Sequence, residues 1–155
     1  QPFTEWIIHV VVLHARWFDS YLARKHRAHH RDPRDVELVF IPFRSLVPSM
    51  AGALVVYPLA FRDLRLATSA VVVSYALLLI YEWTHFLVHS PYRPKTRLYR
   101  RVWRAHRLHH FKNEHYWHGI TSTVADRVLG TNPDHREVER SREVAPQVVH
   151  VLEAD

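Results

Sequence analysis

The sequence lacks the residues from which several common classes of functional site are built. It has no cysteine, which excludes disulfide bonds, thiolate zinc sites and cysteine-ligated iron–sulfur clusters but does not fix the cellular compartment. It has only three glycines, and no glycine-rich phosphate-binding loop or dinucleotide fingerprint occurs. Its 155 residues suffice for one domain with one core. Because it begins at Gln1 rather than Met, we expect a fragment or a processed form of a longer protein.

Histidine, by contrast, is abundant, and ten of the fourteen histidines fall into four spaced groups. A pair is followed by a triplet, and the arrangement then repeats: His9 and His14; His26, His29 and His30; His85 and His89; His106, His109 and His110. Neutral imidazole is a common ligand for iron, zinc and copper. Because one octahedral metal accepts about six ligands, ten imidazoles gathered in one place suit two metals. The sequence therefore predicts a dinuclear metal site with almost entirely nitrogen ligands.

The spacing within each group indicates how its members could be used. His85 and His89 are four residues apart, so on a helix they lie on one face and can bind one metal together. Each triplet can serve two metals from one helical turn, because its last histidine lies about 100° around the helix from its neighbour. His9 and His14 would lie about 140° apart on an ideal helix. They either reach different metals or are brought together by a local bulge.

The other four histidines carry weaker signals. His115 and His118 follow the last triplet closely and are candidates for late ligands or for residues that orient a ligand. His135 and His150 lie in a polar C-terminal segment, where we expect them at the surface.

Few carboxylates lie near the histidine groups. Glu82 stands three residues before His85 and could orient that ring through a hydrogen bond. Asp19, Glu114 and Asp126 are similar but weaker candidates. An ordinary surface role is the alternative for each. This scarcity distinguishes the chain from the glutamate-rich di-iron bundles.

The formal net charge of +6 is compatible with nucleic-acid binding in principle. The basic residues, however, concentrate in two runs, 16–34 and 93–107, which flank the most apolar part of the chain. Basic residues that border apolar spans are typical of membrane proteins. We therefore expect a membrane, and no nucleic acid, as a partner.

Two uncharged runs, 46–61 and 66–81, are separated by a polar link of four residues, 62–65. A helix needs about 20 apolar residues to cross a bilayer core, and the apolar residues at 83–88 extend the second run. Membrane helices tolerate the prolines Pro48 and Pro58 better than soluble ones do. The short link predicts a tight helical hairpin. The alternative is a pair of buried helices in a soluble α-domain.

A hairpin returns the chain to its starting side, so the early and late histidine groups meet on one membrane face. We predict an all-α fold: an integral membrane helical bundle with a transmembrane hairpin and a cytosolic, histidine-rich helical cap. Residues 3–18 are expected to be helical. Residues 1–131 form the predicted domain, and residues 132–155 a polar C-terminal tail that is loose or a short surface helix.

Several segments resemble the fatty acid hydroxylase/sterol desaturase superfamily. The resemblance lies in YEWTHFLVH at 81–89, HRLHHF at 106–111, GITS at 119–122, DRVLGT at 126–131, and in the two earlier histidine groups. It implies an integral membrane, non-haem di-iron oxygenase whose ligands are the ten grouped histidines. Members of the fatty acid 2-hydroxylase type are the most similar.

The resemblance also implies how such an enzyme would work. It would hydroxylate a C–H bond of a lipid, using two iron ions and O2, with zinc able to substitute at the site. No cytochrome b5-like domain is present in this chain, so a separate electron-transfer protein would supply electrons. Carotenoid or sterol hydroxylation, and desaturation, remain open alternatives. A non-catalytic membrane protein that binds or transports metal is the alternative from another class.

Overall fold

A computed structural model describes residues 1–14, 17 and 19–142, and every regular element within them is helical. The all-α prediction is therefore confirmed. In chain order the elements are α1 (Pro2–Ile7), a π-helix (Ile8–His14), α2 (Tyr21–Arg31), α3 (Val36–Val39), α4 (Phe43–Phe61), α5 (Leu64–His89), α6 (Arg97–Phe111) and α7 (Val124–Val128).

Helices α4 and α5 form the predicted hairpin. The turn is shorter than the polar link in the sequence, because α5 already begins at Leu64. Arg62 ends α4 in the left-handed conformation, with φ of 51°. The Asp63 side chain then accepts hydrogen bonds from the amides of Arg65 and Leu66, which satisfies the first free N–H groups of α5.

Two hydrogen bonds join the hairpin helices along their length. The hydroxyls of Tyr57 and Ser74 lie 2.8 Å apart, and the Tyr75 hydroxyl donates to the Met50 carbonyl at 2.7 Å. Both helices are long and apolar enough to cross a membrane. No residue of α4 is buried, and large apolar side chains of α5 such as Val72 are exposed. A soluble domain would bury such helices, so the hairpin is a membrane element.

The N-terminal segment is helical, as predicted, but the type of helix changes within it. Pro2 stands at the start of α1, where its missing N–H costs nothing. The backbone then widens into a π-helix over Ile8–His14. The described helix ends at His14, and Trp17, which was predicted to be helical, lies in a turn. Residues 15, 16 and 18 of the predicted helix lie outside the described residues.

The two histidine triplets lie near the ends of α2 and α6. Ser20 caps α2 by accepting from the Ala23 amide, and Thr96 caps α6 by accepting from the Tyr99 amide. Helix α6 is strongly two-faced, because its buried side carries Val102, Ala105 and all three histidines of the triplet. The caps therefore set where each helix starts, and the buried faces direct the histidines inward.

The segment after α6 folds back over it. Trp117 packs with Ala105 and Leu108, and its indole N–H donates to the Pro133 carbonyl. The Ser141 amide donates to the Lys112 carbonyl at 2.8 Å. The described part of the predicted tail is thus held against the body of the domain. Residues 143–155, including His150, lie outside the described residues.

Candidate metal centre

Five histidine side chains from three helices form what we call the first cluster. One ring nitrogen of each lies within 4.8 Å of the corresponding atoms of all the others. Its members come from the π-helix, α2 and α6: His9, His14, His26, His30 and His109. All are buried except His14, which is partly exposed.

A second cluster lies beside the first. Nitrogens of His29, His85, His89 and His110 lie within 4.8 Å of one another. His106 joins them, because its Nε2 lies 3.0 Å from Nε2 of His110 and its ring is 4.9 Å from that of His85. All ten histidines predicted from the spacing therefore converge, five in each cluster. The rings of His30 and His110 stack at 4.1 Å where the clusters meet.

The triplets divide between the clusters in a crossed pattern. In α2, His26 and His30 enter the first cluster and His29 the second. In α6, His106 and His110 lie with the second cluster and His109 with the first. In each triplet the residues four apart stay together on one helix face, while the residue between them points to the other cluster. One turn of each helix thus serves both clusters, as the spacing predicted.

The π-helix explains how His9 and His14 share a cluster. Hydrogen bonds in a π-helix join residues five apart rather than four, so its residues i and i+5 lie on similar faces. The two rings lie 5.0 Å apart. Of the two possibilities left open by the sequence, the local widening of the helix is the one that occurs.

Main-chain carbonyls fix the orientation of two rings in the first cluster. Nδ1 of His9 donates to the His118 carbonyl at 2.5 Å, and Nδ1 of His109 donates to the Tyr116 carbonyl at 2.8 Å. With the proton held on Nδ1, each Nε2 turns a lone pair toward the first cluster. Metal-binding histidines in proteins are oriented in this way.

The distances between ring nitrogens fit a cation better than hydrogen bonding. Nε2 of His26 lies 3.0–3.1 Å from Nε2 of His9, His14 and His30. A neutral imidazole carries one N–H, so His26 can donate to at most one of these three. At most one of the three contacts is then a hydrogen bond, and a cation bound by all four Nε2 atoms would satisfy the others.

The same distances distinguish between coordination geometries. Two ligands about 2.1 Å from a metal are about 3.0 Å apart at the octahedral angle and about 3.4 Å apart at the tetrahedral angle. The closest Nε2 pairs in both clusters lie 3.0–3.2 Å apart. Five imidazoles per cluster also exceed the four ligands of a structural zinc site. The donor set thus suits two metal ions of high coordination number.

Burial keeps the cluster histidines uncharged. It lowers the pKa of His14 to about 3, and nearby charges, that of His118 first, act in the same direction. It lowers the pKa of His29 to about 2. The pKa lies well below its usual value, for the same reason, in His9, His26, His30, His106, His109 and His110. Neutral imidazoles are the form that binds metals.

His118 and Asp126 support the first cluster without entering it. His118 acts through its carbonyl, while its ring lies 5.5 Å from that of His9. Asp126 accepts hydrogen bonds from the amides of His118 and Gly119, both at 2.8 Å, and from the Thr131 hydroxyl. The carboxylate thereby fixes the loop that carries the carbonyl acceptor of His9.

The other candidates from the sequence form hydrogen bonds or ion pairs with residues outside the two clusters, and Glu82 does not orient His85 as predicted. Glu82 accepts a hydrogen bond from the Ile41 amide, which joins α5 to the start of the hairpin. The exposed His115 ring lies 3.5 Å from the buried Glu114 carboxylate. Asp19 forms surface ion pairs with Arg24 and Arg27.

Glu5 is an important residue that the sequence reasoning missed. Its side chain is only 6% exposed. Its carboxylate accepts hydrogen bonds from the amides of Ile120 and Thr121 and from the Thr121 hydroxyl. Burial raises its pKa, while the bonds from Thr121 and Ile120 act in the opposite direction. An acidic residue four positions before His9 in an apolar helix was the available signal.

An apolar cavity of about 320 Å³ connects the membrane hairpin to both clusters. Leu77, Leu78 and Tyr81 of α5 line it on the membrane side. Its inner wall includes His9 and His26 of the first cluster and His85 of the second. A long apolar molecule that enters from the bilayer would therefore meet the histidines of both clusters.

The sequence profile of the fatty acid hydroxylase family matches residues 1–131, a region that includes all ten clustered histidines. The chain belongs to the fatty acid hydroxylase family. This membership confirms the resemblance seen in the sequence. No solved structure matches this fatty acid hydroxylase family member.

Two curated proteins of Arabidopsis thaliana are similar to it. One is the dihydroceramide fatty acyl 2-hydroxylase FAH2, which is 29% identical over 83% of this chain and 55% of its own length. The other is the dihydroceramide fatty acyl 2-hydroxylase FAH1, which is 30% identical over 84% of this chain and 56% of its own length. The chain thus spans about half the length of these relatives.

Proposed function

We propose that this chain is a membrane-bound di-iron oxygenase that hydroxylates a C–H bond of a lipid acyl chain. The co-substrate is O2, and a separate electron-transfer protein supplies the electrons. The hydroxylase domain comprises residues 1–131, the extent of the family match, and residues 132–155 form its C-terminal tail. The family membership and the two histidine clusters support this proposal.

The apolar cavity is the observation that carries the proposal. It joins side chains of the membrane helix α5, such as Leu77, to histidines of both clusters. A site that only stored metal would have no need of an apolar cavity beside its histidines. A transporter would need ligands along the membrane path, and the uncharged runs 46–61 and 66–81 contain no histidine or acid.

The residues of the chain have distinct roles in this reaction. The ten histidines would hold the two iron ions, which supply the O2 activation that no side chain provides. The carbonyls of His118 and Tyr116 hold the rings of His9 and His109 in orientation. The apolar cavity wall positions the acyl chain and excludes water from the reacting carbon.

The curated relatives indicate the substrate class, because both are dihydroceramide fatty acyl 2-hydroxylases. We propose the fatty acyl chain of a ceramide-type lipid as the substrate. The clusters lie at the open end of the hairpin, where α4 begins and α5 ends. The basic runs flank this end, so we propose that it faces the cytosol.

Reconstitution of the full chain tests the proposal. Purified protein loaded with ferrous iron should bind two iron ions per chain, consume O2 when reduced, and form a hydroxylated acyl product detectable by mass spectrometry. Leu78→Trp, which narrows the apolar cavity, should retain both irons but lose product. His109→Ala should lose iron as well as product. One metal or none per chain in the unaltered protein would overturn the di-iron assignment.

A further inference from the structure

A second cavity, of about 360 Å³, reaches the first cluster from another direction. Its lining shares no residue with the apolar cavity. The residues that line it are Val10, Val11, His14, Trp17, Glu114, His115 and His118. We call it the polar cavity, because four of these side chains are ionisable.

The π-helix is the common wall between the two cavities. Ile8, His9 and Leu13 face the apolar cavity, whereas Val10, Val11 and His14 face the polar one. His9 and His14 belong to the same cluster but line different cavities. The first cluster is therefore accessible from two sides, and His14 is its only partly exposed member.

Two buried polar atoms beside the polar cavity have no hydrogen-bond partner among the described residues. Glu114 is 7% exposed, and its Oε1 accepts from the Ser141 hydroxyl at 2.9 Å, while its Oε2 has no partner. Nδ1 of His118 also has none. Buried atoms of this kind usually bind ordered water. The cavity is large enough for this, since one water occupies about 30 Å³.

We propose that the polar cavity is the aqueous entrance to the histidine site. Protons reach the first cluster through it and the product water leaves by it, while the lipid fills the apolar cavity. Glu114 is a positioning residue that holds water at this entrance. The proposal rests on the hydroxylase function proposed above.

The stoichiometry of the reaction requires such a route. Hydroxylation converts R–H, O2, two electrons and two protons into R–OH and one water; the electrons come from the donor protein and one oxygen atom enters the new C–O bond. An acyl chain in the apolar cavity blocks water on that side. Protons must therefore arrive, and water must leave, by another path.

Azide binding tests the entrance without measuring hydroxylation. The probe is azide added to the ferric, iron-loaded protein in detergent, followed by stopped-flow absorbance of the iron–azide complex. Val11→Trp narrows the polar cavity, and Val10→Phe is a second variant in the same wall. Leu78→Trp, in the apolar cavity, is the matched control. Iron content and the binding of a fluorescent acyl analogue are measured for each protein.

We expect either valine variant to slow azide association by about tenfold or more, with two irons and acyl binding retained. Leu78→Trp should weaken acyl binding and leave the azide rate unchanged. If azide associates equally fast with the valine variants and the unaltered protein, and all bind two irons, the polar cavity is not the entrance. The proposed hydroxylase function would be unaffected by that result. Failure of the unaltered protein to bind two irons would instead overturn the proposed function.

The role of Glu114 has its own test. Glu114→Leu should raise the solvent deuterium isotope effect on hydroxylation, because water is no longer held at the entrance. Glu114→Gln still binds water and should restore the original isotope effect. Equal isotope effects in the Leu, Gln and unaltered proteins would exclude this positioning role.

Discussion

The imidazole rings of His9 and His14 lie 5.0 Å apart, although the two residues are five positions apart in a helical segment. The π-helix makes this possible, and Nε2 of His26 lies within 3.1 Å of Nε2 of both rings. The pair with the weakest spacing argument thus shares the first cluster with His26, which lies between the two rings. The central position of His26 leads to the first prediction.

Replacing His26 should empty one cluster and spare the other. Its Nε2 is close to those of three other histidines in the first cluster, whereas the second cluster gains only distant ring contacts from it. We expect His26→Ala to lower the bound iron from two ions per chain to one, measured by elemental analysis. His135→Ala, at a partly exposed histidine outside both clusters, should retain two. If His26→Ala still binds two iron ions per chain, the assignment of His26 to the centre of the first cluster would be wrong.

Alanine substitutions at Gly119 and Gly52 should have opposite effects on the free energy of unfolding. A Cβ at Gly119 would overlap the Ser122 carbonyl oxygen and lie 2.8 Å from Oδ2 of Asp126. We expect Gly119→Ala to lower the free energy of unfolding by about 1–3 kcal/mol. A Cβ at Gly52, inside α4, meets nothing within 4 Å, so Gly52→Ala should raise it by about 0.5–1 kcal/mol. Denaturant unfolding in detergent measures both free energies. An unchanged free energy of unfolding in Gly119→Ala would show that the loop can move to accommodate the added methyl group.

Glu5 should support the first cluster through the loop at 118–121. Glu5→Ala leaves the buried amide of Ile120 without its acceptor, at a cost of about 1–3 kcal/mol. It also loosens the His118 carbonyl that orients His9, so we expect metal affinity at one site to fall by about 10- to 100-fold. Titration with iron measures the affinity. Glu37→Ala, at an exposed glutamate of α3, is the control and should change neither quantity.

The metal-free protein should lose stability as the pH falls. Burial lowers the pKa of His14 from about 6.5 to about 3, so in this range the unfolded chain binds a proton that the folded chain excludes. The other cluster histidines outside the hairpin shift in the same direction. Stability should therefore be greatest above pH 6.5 and fall steadily below it. Thermal unfolding measured between pH 8 and 5 tests this prediction, and an unfolding temperature that does not change with pH would contradict it. His26→Gln removes one of these histidines and should make the dependence on pH weaker.

The absence of cysteine allows a direct test of orientation. Arg65→Cys places a single thiol at the hairpin turn, and Lys95→Cys places one near the opposite end. In intact cells we expect a membrane-impermeant maleimide to label Cys at 65 but not at 95, because the basic end faces the cytosol. Labelling should become equal after the cells are permeabilised. The reverse pattern in intact cells would place the histidine clusters on the outer side.

Local composition determined the hairpin. Two runs without a charge, joined by a short polar link, predict two membrane helices, because the cost of burying a charge in lipid depends little on the rest of the fold. The set of ten histidines was predictable for a similar reason, since their spacing within single helical turns is a local property. The exact bounds of the hairpin turn were not predictable from the sequence. The Asp63 cap, rather than the last charged residue of the link, sets where α5 begins.

The tertiary structure decided which cluster each histidine joins. The assignment of His29 and His109 to opposite clusters depends on how α2 and α6 face each other, which spacing does not specify. The π-helix, the buried carboxylate of Glu5 and the two cavities depend on contacts between segments that are distant in the sequence, such as the contact between Glu5 and Thr121. The sequence alone determined the membrane hairpin and the set of histidines that cluster. Packing between distant segments decided which histidine nitrogens lie together in each cluster. It also decided which cavity gives access to each cluster.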